Sequence, residues 1–311
     1  MKETEHFVRN NKKYTENEQQ KEFDQAVRLW LKGTFGEVLF WWDFYANPNQ
    51  YLKYFKRLIK PDVQVLMPDI SEMKSGDCIL DVGSGPISGF GNRLNCGGQI
   101  SVTACDPLAP VYKALLAHLV IIPYTETLFA IGERLLDRFE HNQFDAVTMN
   151  NALDHSLDPM LVLENLLAVC KIGKKVHLCH AVNEAEHEQY QWNHQWNINL
   201  DKEADFILWS KNEQFNVTQE LRAYANIKGR ILPPNEFGRK WVKIELLKTR
   251  DIHPSRRNRI VYDEILHTMI YFFLSPKFRH LAQNNEQYDD MDLIRKLGND
   301  QFHDFGELFN H

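Results

Sequence analysis

The stretch CILDVGSGPISG, residues 78–89, decides how the rest of the chain is interpreted. Its first five residues are apolar except for Asp81, a composition typical of a buried strand. The turn that follows contains Gly83, Gly85 and Gly89, and glycine permits positive φ angles and close approach of a ligand to the backbone. A buried strand that leads through such a turn into a helix predicts a binding site for a phosphate or a nucleoside.

Two classes of nucleoside ligand fit this turn unequally. The dinucleotide fingerprint G-x-G-x-x-G needs a third glycine three positions after the second, whereas here Pro86 intervenes and the next glycine is Gly89. Asp81 would repel a pyrophosphate, but it would attract the ammonium group of S-adenosylmethionine. Asp106 ends the next strand-like run, ISVTACD, where a carboxylate can accept hydrogen bonds from the ribose hydroxyls of either ligand.

Strand-like and helical segments alternate from about residue 75 to residue 250. The segments VYKALLAHLV and PMLVLENLLAVCK have helical periodicity, and Met160, Leu163, Leu167 and Cys170 form one apolar stripe in the second. The alternation predicts a mainly parallel sheet covered on both faces. The predicted strands are residues 78–82, 100–106, 144–150, 174–182 and 241–247.

The two ends of the chain differ from this core. Residues 1–74 are predicted to form a helical cap rich in aromatic residues, and residues 35–55 either pack on the core or close over a ligand as a lid. Residues 251–311 are predicted to be a helical extension that packs on the core or on a second copy of the chain, so a homodimer is possible. Within the core region of 75–250, a substrate-side insertion is expected at about 183–238.

Composition excludes several classes of protein. The net charge of −6 argues against nucleic acid as the main partner, because neutralising phosphates requires an excess of Lys and Arg. No apolar run approaches the length of a membrane span, and no secretory signal is visible. The five cysteines form no CxxC pair, as expected for a reducing compartment. We therefore expect a cytoplasmic protein.

The chain resembles the class I S-adenosylmethionine-dependent methyltransferases of the small-molecule type over about residues 75–182. Five motifs carry the resemblance in the family's order: DVGSGP, the acid that ends ISVTACD, IGERLLDRFEHNQFDAV, FDAVTMNNALDHSLDP, and LVLENLLAVCKIGKKVHLC. The resemblance implies a Rossmann-like, mainly parallel seven-stranded sheet with helices on both faces and helical additions at both ends. It also implies that the protein is a methyltransferase with S-adenosylmethionine as its cofactor.

Residues that match the family's motifs are the expected cofactor site. The first motif supplies the turn, the acid after the second strand binds the ribose, and an acid at the third motif reaches the adenine. The asparagines at the end of the fourth strand either contact a ligand or cap the next helix. The expected cofactor-binding residues are Asp81, Gly83, Ser84, Gly85, Asp106, Pro107, Glu133, Asn150 and Asn151.

The methyl acceptor is less narrowly defined. The fourth motif reads NNAL, where methyltransferases acting on amino groups of nucleic-acid bases normally carry [DNS]-P-P-[YFW]. The segment HLCHAVNEAEHEQYQWNHQWNI offers many hydrogen-bonding groups and indole rings that suit a sugar, and NHQWN is similar to methyltransferases associated with bacterial surface polysaccharides. The acceptor is therefore expected to be a hydroxyl of a sugar or sugar nucleotide in polysaccharide biosynthesis. The candidate acceptor-binding residues are Trp41, Trp42, Glu184, His187, Trp192, His194 and Trp196.

Two histidines are candidates for the base that takes the proton of the hydroxyl. His155, with Asp154 or Asp158 to orient its ring, ranks slightly ahead of His180, and the alternative is that both histidines are structural and neither is the base. A metal held by His180, Glu184 and His187 is conceivable, but the spacing matches no known ligand set, so no metal is predicted. The alternatives are a small-molecule N-methyltransferase and a catalytically silent protein that only binds the cofactor.

Overall fold

A seven-stranded sheet forms the centre of the chain. The computed structural model describes residues 16–47, 72–94, 97–191, 193–235 and 237–254. The strands are β1 (Cys78–Val82), β2 (Ser101–Asp106), β3 (Thr127–Phe129), β4 (Phe144–Asn150), β5 (Cys170–Ala181), β9 (Ala225–Leu232) and β10 (Trp241–Lys248). They are arranged in the order β3-β2-β1-β4-β5-β10-β9.

The strand directions confirm the predicted mainly parallel, Rossmann-like sheet. β1 is paired with β2 and β4 in parallel, and β2–β3 and β4–β5 are parallel too. β10 runs antiparallel to both β5 and β9, so it alone among the seven is reversed. β3 and β9 were not predicted as strands, since β3 has only three residues and β9 alternates buried and exposed positions weakly.

The strand order reverses direction at β1. The chain moves outward from β1 to β2 and β3, then returns to the other side of β1 for β4 and β5. In open α/β sheets a ligand binds outside the carboxyl ends of the strands at such a switch point. The segments that follow β1 and β4 are therefore the first place to look for a site.

Helices flank the sheet. They are α1 (Glu16–Ala46), α2 (Ala109–His118), α3 (Pro159–Val169), α4 (Glu184–His187) and α5 (Val217–Glu220), with 3-10 helices at Gly132–Asp137 and Leu153–His155. α3 begins where the Asp158 side chain accepts a hydrogen bond from the Leu161 N–H at 3.1 Å, and Pro159 occupies its first turn. Met160, Leu163 and Leu167 of the predicted stripe are buried, as expected for the inner side of this helix. Cys170, the fourth residue of that stripe, is also buried but begins β5.

Both faces of the sheet are covered. Leu80 and Val82 of β1 belong to a large buried cluster that includes the apolar side chains of α3. Ile79 points to the opposite face, where it packs with Phe90 and Ile100. The alternation of side chains along β1 thus explains why this strand is apolar at neighbouring positions.

The helix predicted directly after the glycine turn is absent. The described residues of this segment, 83–94 and 97–100, form turns and bends. Pro86 and Gly89 are poor helix formers, and Ile87 instead packs against Tyr45 of α1 and Leu115 of α2. α1 therefore covers the side of the turn that a following helix was expected to cover.

The insertion after β5 contains a second sheet. It consists of β6 (Asn197–Leu200), β7 (Phe206–Trp209) and β8 (Gln214–Asn216), paired in antiparallel order. The insertion was expected at about 183–238, but β9 belongs to the main sheet, so the part outside that sheet ends before Ala225.

A buried lysine joins the last strand to the end of α3. The Lys248 ammonium donates to the carbonyl oxygens of Cys170 at 2.8 Å and Ala168 at 3.3 Å, and to Asn142 Oδ1 at 2.9 Å. It also lies 3.1 Å from Asp251 Oδ1. Because these carbonyls lie at the C-terminal end of a helix, a cation there is favoured by the helix dipole.

Two expectations about the chain ends lie outside the described residues. Of the expected cap, residues 1–74, the structure describes residues 16–47, which include α1, and residues 72–74. Of the expected C-terminal extension, residues 251–311, it describes residues 251–254. Within the described part of the chain, no helix combines the length and the apolar character that crossing a membrane requires.

Candidate active site

The glycine turn is closely packed on two sides. Gly83 has a φ of +64°, and a Cβ atom placed on it would lie 2.5 Å from Cβ of Ala152, which follows β4. Gly85 has a φ of +65°, and a Cβ atom there would lie 3.0 Å from the ring of Trp41. Both positions therefore require glycine for conformation and for space. The turn is in direct contact with the segment after β4.

Asp81 holds the turn from beneath. Its Oδ2 accepts a hydrogen bond from Ser88 Oγ at 2.6 Å, and its Oδ1 accepts one from Thr148 Oγ1 at 3.1 Å. Burial raises the pKa of Asp81 to about 6, against the lowering effect of these two hydrogen bonds. Since both oxygens already have partners, Asp81 ties β1, β4 and the turn together. Its contact with the ammonium group of a cofactor stays a prediction.

Asp106 faces the turn from the end of β2. Its Oδ2 accepts a hydrogen bond from the Gly85 N–H at 3.1 Å, and its Oδ1 accepts one from the Leu108 N–H at 2.8 Å. Burial raises the pKa of Asp106 to about 7, and the nearby charges of Glu37 and Asp81 act in the same direction. The carboxyl group thus lies beside the glycine backbone, where a ribose is expected to bind.

Thr127 of β3 closes the other side of the turn. Its hydroxyl donates to the carbonyl oxygens of Gly85 at 3.1 Å and Pro86 at 3.2 Å, and it lies 3.4 Å from Ser84 Oγ. Ser84 Oγ also donates to the Gly85 carbonyl at 3.1 Å. Pro107, directly after Asp106, is half-buried. Roles of Ser84 and Pro107 toward a cofactor stay predictions.

Glu133 has a partner within the protein. It lies in the 3-10 helix after β3, and its Oε1 accepts hydrogen bonds from the N–H groups of Leu157 at 2.9 Å and Asp158 at 3.3 Å. Burial raises its pKa to about 7. Glu133 therefore joins this segment to the start of α3, and its expected contact with the adenine stays a prediction.

The two asparagines at the end of β4 differ in their surroundings. Asn151 has a φ of +48°, and its side-chain Oδ1 accepts a hydrogen bond from the Ala181 N–H at 3.1 Å, so it joins β4 to β5. Asn150 Oδ1 is buried and has no hydrogen-bond partner among the described residues. A buried amide oxygen without a partner is unfavourable, so Asn150 is the better candidate for a ligand contact.

Three polar side chains converge next to the glycine turn. Asp154 and His155 form the 3-10 helix after β4, and His194 comes from the insertion. Asp154 Oδ2 lies 2.8 Å from His194 Nδ1 and 3.4 Å from His155 Nε2, and the two ring nitrogens lie 3.2 Å apart. We call these three residues the Asp-His-His cluster. Asp154 rather than Asp158 is thus the carboxylate beside His155, since Asp158 caps α3.

The charge of Asp154 dominates this cluster. Burial alone would raise its pKa, but the neighbouring imidazoles of His155 and His194 lower it to about 2. Burial alone would lower the pKa of His194, but its hydrogen bond to Asp154 and the charge of that carboxylate raise it. The cluster therefore keeps an ionised carboxylate that favours a cation or a proton on its neighbours.

His180, the second candidate base, is more deeply enclosed. It is the residue before the last of β5, with 1% of its surface exposed, and neither ring nitrogen has a hydrogen-bond partner among the described residues. Burial lowers its pKa to about 4, so the ring is neutral. Glu184 lies beside the cluster on the side of Arg239, whose guanidinium group contacts Glu184 Oε1 at 2.8 Å. The hydroxyl of an acceptor that arrives from solvent can reach the partly exposed His155 more readily than the buried His180.

Several expected acceptor-binding residues have other roles. Trp196 is buried, and its indole N–H donates to the Ser156 carbonyl at 3.1 Å, so it packs inside the protein and its contact with an acceptor stays a prediction. Trp42 stacks on His118 of α2 with ring centroids 5.1 Å apart, which indicates packing of α1. His187 is exposed and faces Glu188. Trp192 lies outside the described residues.

Trp41 lies against the glycine turn. Its ring stacks on Tyr45 with centroids 5.7 Å apart, and its indole N–H donates to Glu37 Oε1 at 2.8 Å. The contact with Gly85 brings α1 against the turn that is expected to hold the cofactor. Trp41 was expected to bind the acceptor, and the structure instead associates it with the glycine turn.

Sequence reasoning missed several residues that build the site. Ser88 and Thr148 bind the Asp81 carboxylate, and Thr127 binds the turn. Ser88 could have been noticed because it lies in the quoted stretch, where a hydroxyl can bond to a buried acid. Arg239, far along the chain, carries no local signal, and its contact with Glu184 depends on the path of the insertion.

No family model matches this chain. One curated relative is similar to part of it. Protein-L-isoaspartate O-methyltransferase 1 of Cupriavidus necator is 23% identical over 117 residues, which make up 38% of this chain and 44% of that protein. The chain thus matches less than half the length of that relative.

Two solved structures with loosely similar folds are named as methyltransferases. A SAM-dependent methyltransferase from Methanosarcina mazei has a TM-score of 0.40 and 17% identity, covering 60% of this chain and 100% of its own. Phosphoethanolamine N-methyltransferase 2 from Haemonchus contortus, in complex with S-adenosyl-L-methionine, has a TM-score of 0.40 and 13% identity, covering 61% and 55%. The strand order seen in this chain defines a Rossmann-like fold.

Proposed function

We propose that the protein transfers a methyl group from S-adenosylmethionine to a hydroxyl of a small molecule, with a sugar or sugar nucleotide as the acceptor class. One observation carries the proposal. The glycine turn after β1 and the Asp-His-His cluster after β4 lie at the carboxyl ends of neighbouring strands, and Gly83 packs directly on Ala152 between them. A cofactor site and a group that can activate an acceptor are thus adjacent at the switch point of the sheet.

The charges around the glycine turn support S-adenosylmethionine as the ligand. Asp81 and Glu37 are acidic, and their charges act on Asp106, the residue expected to bind the ribose. These carboxylates disfavour the pyrophosphate of a dinucleotide, whereas the sulfonium and ammonium groups of S-adenosylmethionine are cations. The methyltransferases that resemble the chain agree with this choice.

The Asp-His-His cluster supports a hydroxyl as the acceptor group. In methyl transfer the acceptor oxygen attacks the methyl carbon, the carbon–sulfur bond breaks with its electron pair returning to sulfur, and the hydroxyl proton must leave. A good part of the rate comes from aligning the two reactants. His155, oriented by Asp154 and partly exposed, is placed ahead of His180 as the residue at which the hydroxyl is activated.

A sugar as acceptor has weaker support than methyl transfer itself. Trp196 is buried and its indole N–H is bonded to the Ser156 carbonyl, so the polar side chains around the Asp-His-His cluster carry this part of the proposal. Glu184, His194 and Arg239 offer donors and acceptors to a polyol. A role in polysaccharide biosynthesis stays a prediction.

A small-molecule amine is the second candidate acceptor. Asp154 stays ionised and Glu184 lies nearby, and two carboxylates would also attract a cationic amine. A catalytically silent protein that only binds the cofactor is the third possibility, and turnover of any acceptor would exclude it.

The test is methyl transfer from S-adenosylmethionine labelled in its methyl group to two matched panels, one of sugars and sugar nucleotides and one of amines. We expect the label on a hydroxyl of a sugar compound. His155→Ala should lower turnover by about 10²–10⁴ with cofactor affinity nearly unchanged, whereas His187→Ala, at an exposed position, should have little effect. Label transferred only to amines would overturn the hydroxyl acceptor, and wild-type turnover in His155→Ala would overturn the role of the cluster.

A further inference from the structure

We propose that the Asp-His-His cluster is a binding site for one divalent transition-metal ion. The three ligand atoms are Asp154 Oδ2, His155 Nε2 and His194 Nδ1, and their separations are 2.8, 3.2 and 3.4 Å. Nitrogen and oxygen ligands about 2.0–2.2 Å from one ion, at angles between those of an octahedron and a tetrahedron, lie about 2.8–3.5 Å apart. The observed triangle therefore has the size of three ligands on one side of a metal ion.

Hydrogen bonds alone satisfy this triangle poorly. His194 Nδ1 can carry one hydrogen, yet it faces both the Asp154 carboxylate and His155 Nε2. If His194 Nδ1 donates its hydrogen to Asp154, His155 Nε2 has two options. It either shares that same hydrogen, or it carries a hydrogen of its own that points at the N–H of His194. A cation at the centre would interact favourably with all three atoms, because each offers it a lone pair.

Buried polar atoms next to the triangle are an independent sign of a ligand. Among the described residues, Asp154 Oδ1, both ring nitrogens of His180 and Glu184 Oε2 are buried without a hydrogen-bond partner. Asp154 and His180 are each 1% exposed, and Glu184 is 5% exposed. Leaving such atoms unpaired in the interior is unfavourable. Water molecules bound to a metal ion would supply partners for them.

The cluster is held from two sides of the chain. Asp154 and His155 are fixed by the 3-10 helix at the end of β4. The residues after His194 are bound to the same helix, since the Gln195 N–H donates to the Asp154 carbonyl at 3.3 Å and the Trp196 indole donates to Ser156 at 3.1 Å. Trp196 thus positions His194, which explains its burial.

The ligand types favour a particular class of ion. Two imidazoles and one carboxylate suit Zn²⁺, Mn²⁺, Fe²⁺ or Co²⁺, whereas Ca²⁺ and Mg²⁺ prefer sets of oxygen ligands. Three protein ligands leave coordination positions open, as in catalytic rather than structural metal sites. This differs from the set considered from the sequence, because the exposed His187 is not part of the cluster.

The use of such an ion rests on the proposed function. A divalent ion next to the cofactor turn could bind the acceptor through its hydroxyl oxygen and lower the pKa of that hydroxyl, so that the proton leaves to solvent as the methyl group arrives. His155 and His194 would then act as ligands of the ion. The cluster would also select acceptors with an oxygen that can bind a metal.

Metal binding can be measured without turnover. Protein freed of metal by a chelator should bind Co²⁺ or Zn²⁺ in a 1:1 ratio in calorimetry, and Co²⁺ should give visible absorption bands of a site with nitrogen ligands. His194→Ala and His155→Ala should each weaken binding by about 100-fold or more, because each removes a ligand. His187→Ala is the matched control and should bind as tightly as the wild type.

Two outcomes would overturn the metal site. One is the absence of 1:1 binding to the wild-type protein, and the other is unchanged binding in both His194→Ala and His155→Ala. Circular dichroism checks that each variant folds. If one of the two variants does not fold, the other suffices for the test. S-Adenosylhomocysteine titrated into the same samples separates the two proposals: cofactor binding without metal binding contradicts only the metal site, whereas no cofactor binding contradicts the proposed function.

Discussion

Replacement of Gly83 by alanine tests the glycine turn most sharply. A residue other than glycine at a φ of +64° costs about 1–2 kcal/mol. The added methyl group would lie 2.5 Å from Cβ of Ala152, well inside the contact distance of about 3.5–4.0 Å for two carbon atoms, so the turn or the segment after β4 must move by about 1 Å. We expect Gly83→Ala to lower the free energy of unfolding by about 2–4 kcal/mol.

Two further variants separate the causes of this effect. Gly89 has no heavy atom within 4 Å of an added Cβ, so Gly89→Ala should change the free energy of unfolding by about 0.5 kcal/mol or less. Adding Ala152→Gly to Gly83→Ala removes the atom that clashes, and should recover the steric part of the loss but not the conformational part. Denaturant unfolding measures these differences, and calorimetry with S-adenosylhomocysteine should show at least tenfold weaker binding to Gly83→Ala. Equal stability of Gly83→Ala and Gly89→Ala would refute the packing argument.

Three other predictions concern binding, stability and α1. The pKa of Asp106 is raised to about 7, and binding of the ribose hydroxyls requires the ionised carboxylate. The affinity for S-adenosylhomocysteine, measured by calorimetry, should therefore fall about tenfold per pH unit below pH 7. Asp106→Asn should remove this pH dependence. Lys248→Met should lower the free energy of unfolding by about 3 kcal/mol, because the buried carbonyl oxygens lose a charged donor. Asp251→Asn changes the exposed partner of Lys248 and should lower it by less than about 1 kcal/mol. If α1 closes over the cofactor, the amides around Trp41 should exchange hydrogen more slowly when the cofactor is bound, and equal exchange would leave this helix a packing element.

The central part of the fold could be predicted from the sequence because its signals are local. β1 and the glycine turn are encoded within twelve residues, and the apolar stripe of α3 defines that helix and its buried side. The prediction of a helix after the turn was wrong, because Ile87 packs on Tyr45, which lies more than forty residues away in the sequence. The residues around Ile87 carry no sign of that contact. β3 and β9 escaped because one is short and the other lacks clear alternation.

The site was only partly predictable for a similar reason. Asp154 and His155 follow a predicted strand, so their place at the edge of the sheet follows from the sequence. His194 lies about forty residues later, and its approach to Asp154 depends on how the insertion folds back. Trp196 shows the same difficulty, because a tryptophan in a polar segment gives no indication of whether its ring packs inward or faces a ligand.

Calorimetric titration of the purified chain with S-adenosylhomocysteine, and separately with NAD, shows which of the two ligands the glycine turn binds. We expect 1:1 binding of S-adenosylhomocysteine and at least a hundredfold weaker binding of NAD, because the Asp81 carboxylate lies beneath the glycine turn that a pyrophosphate would have to approach. Tight binding of NAD together with no heat from S-adenosylhomocysteine would contradict this expectation.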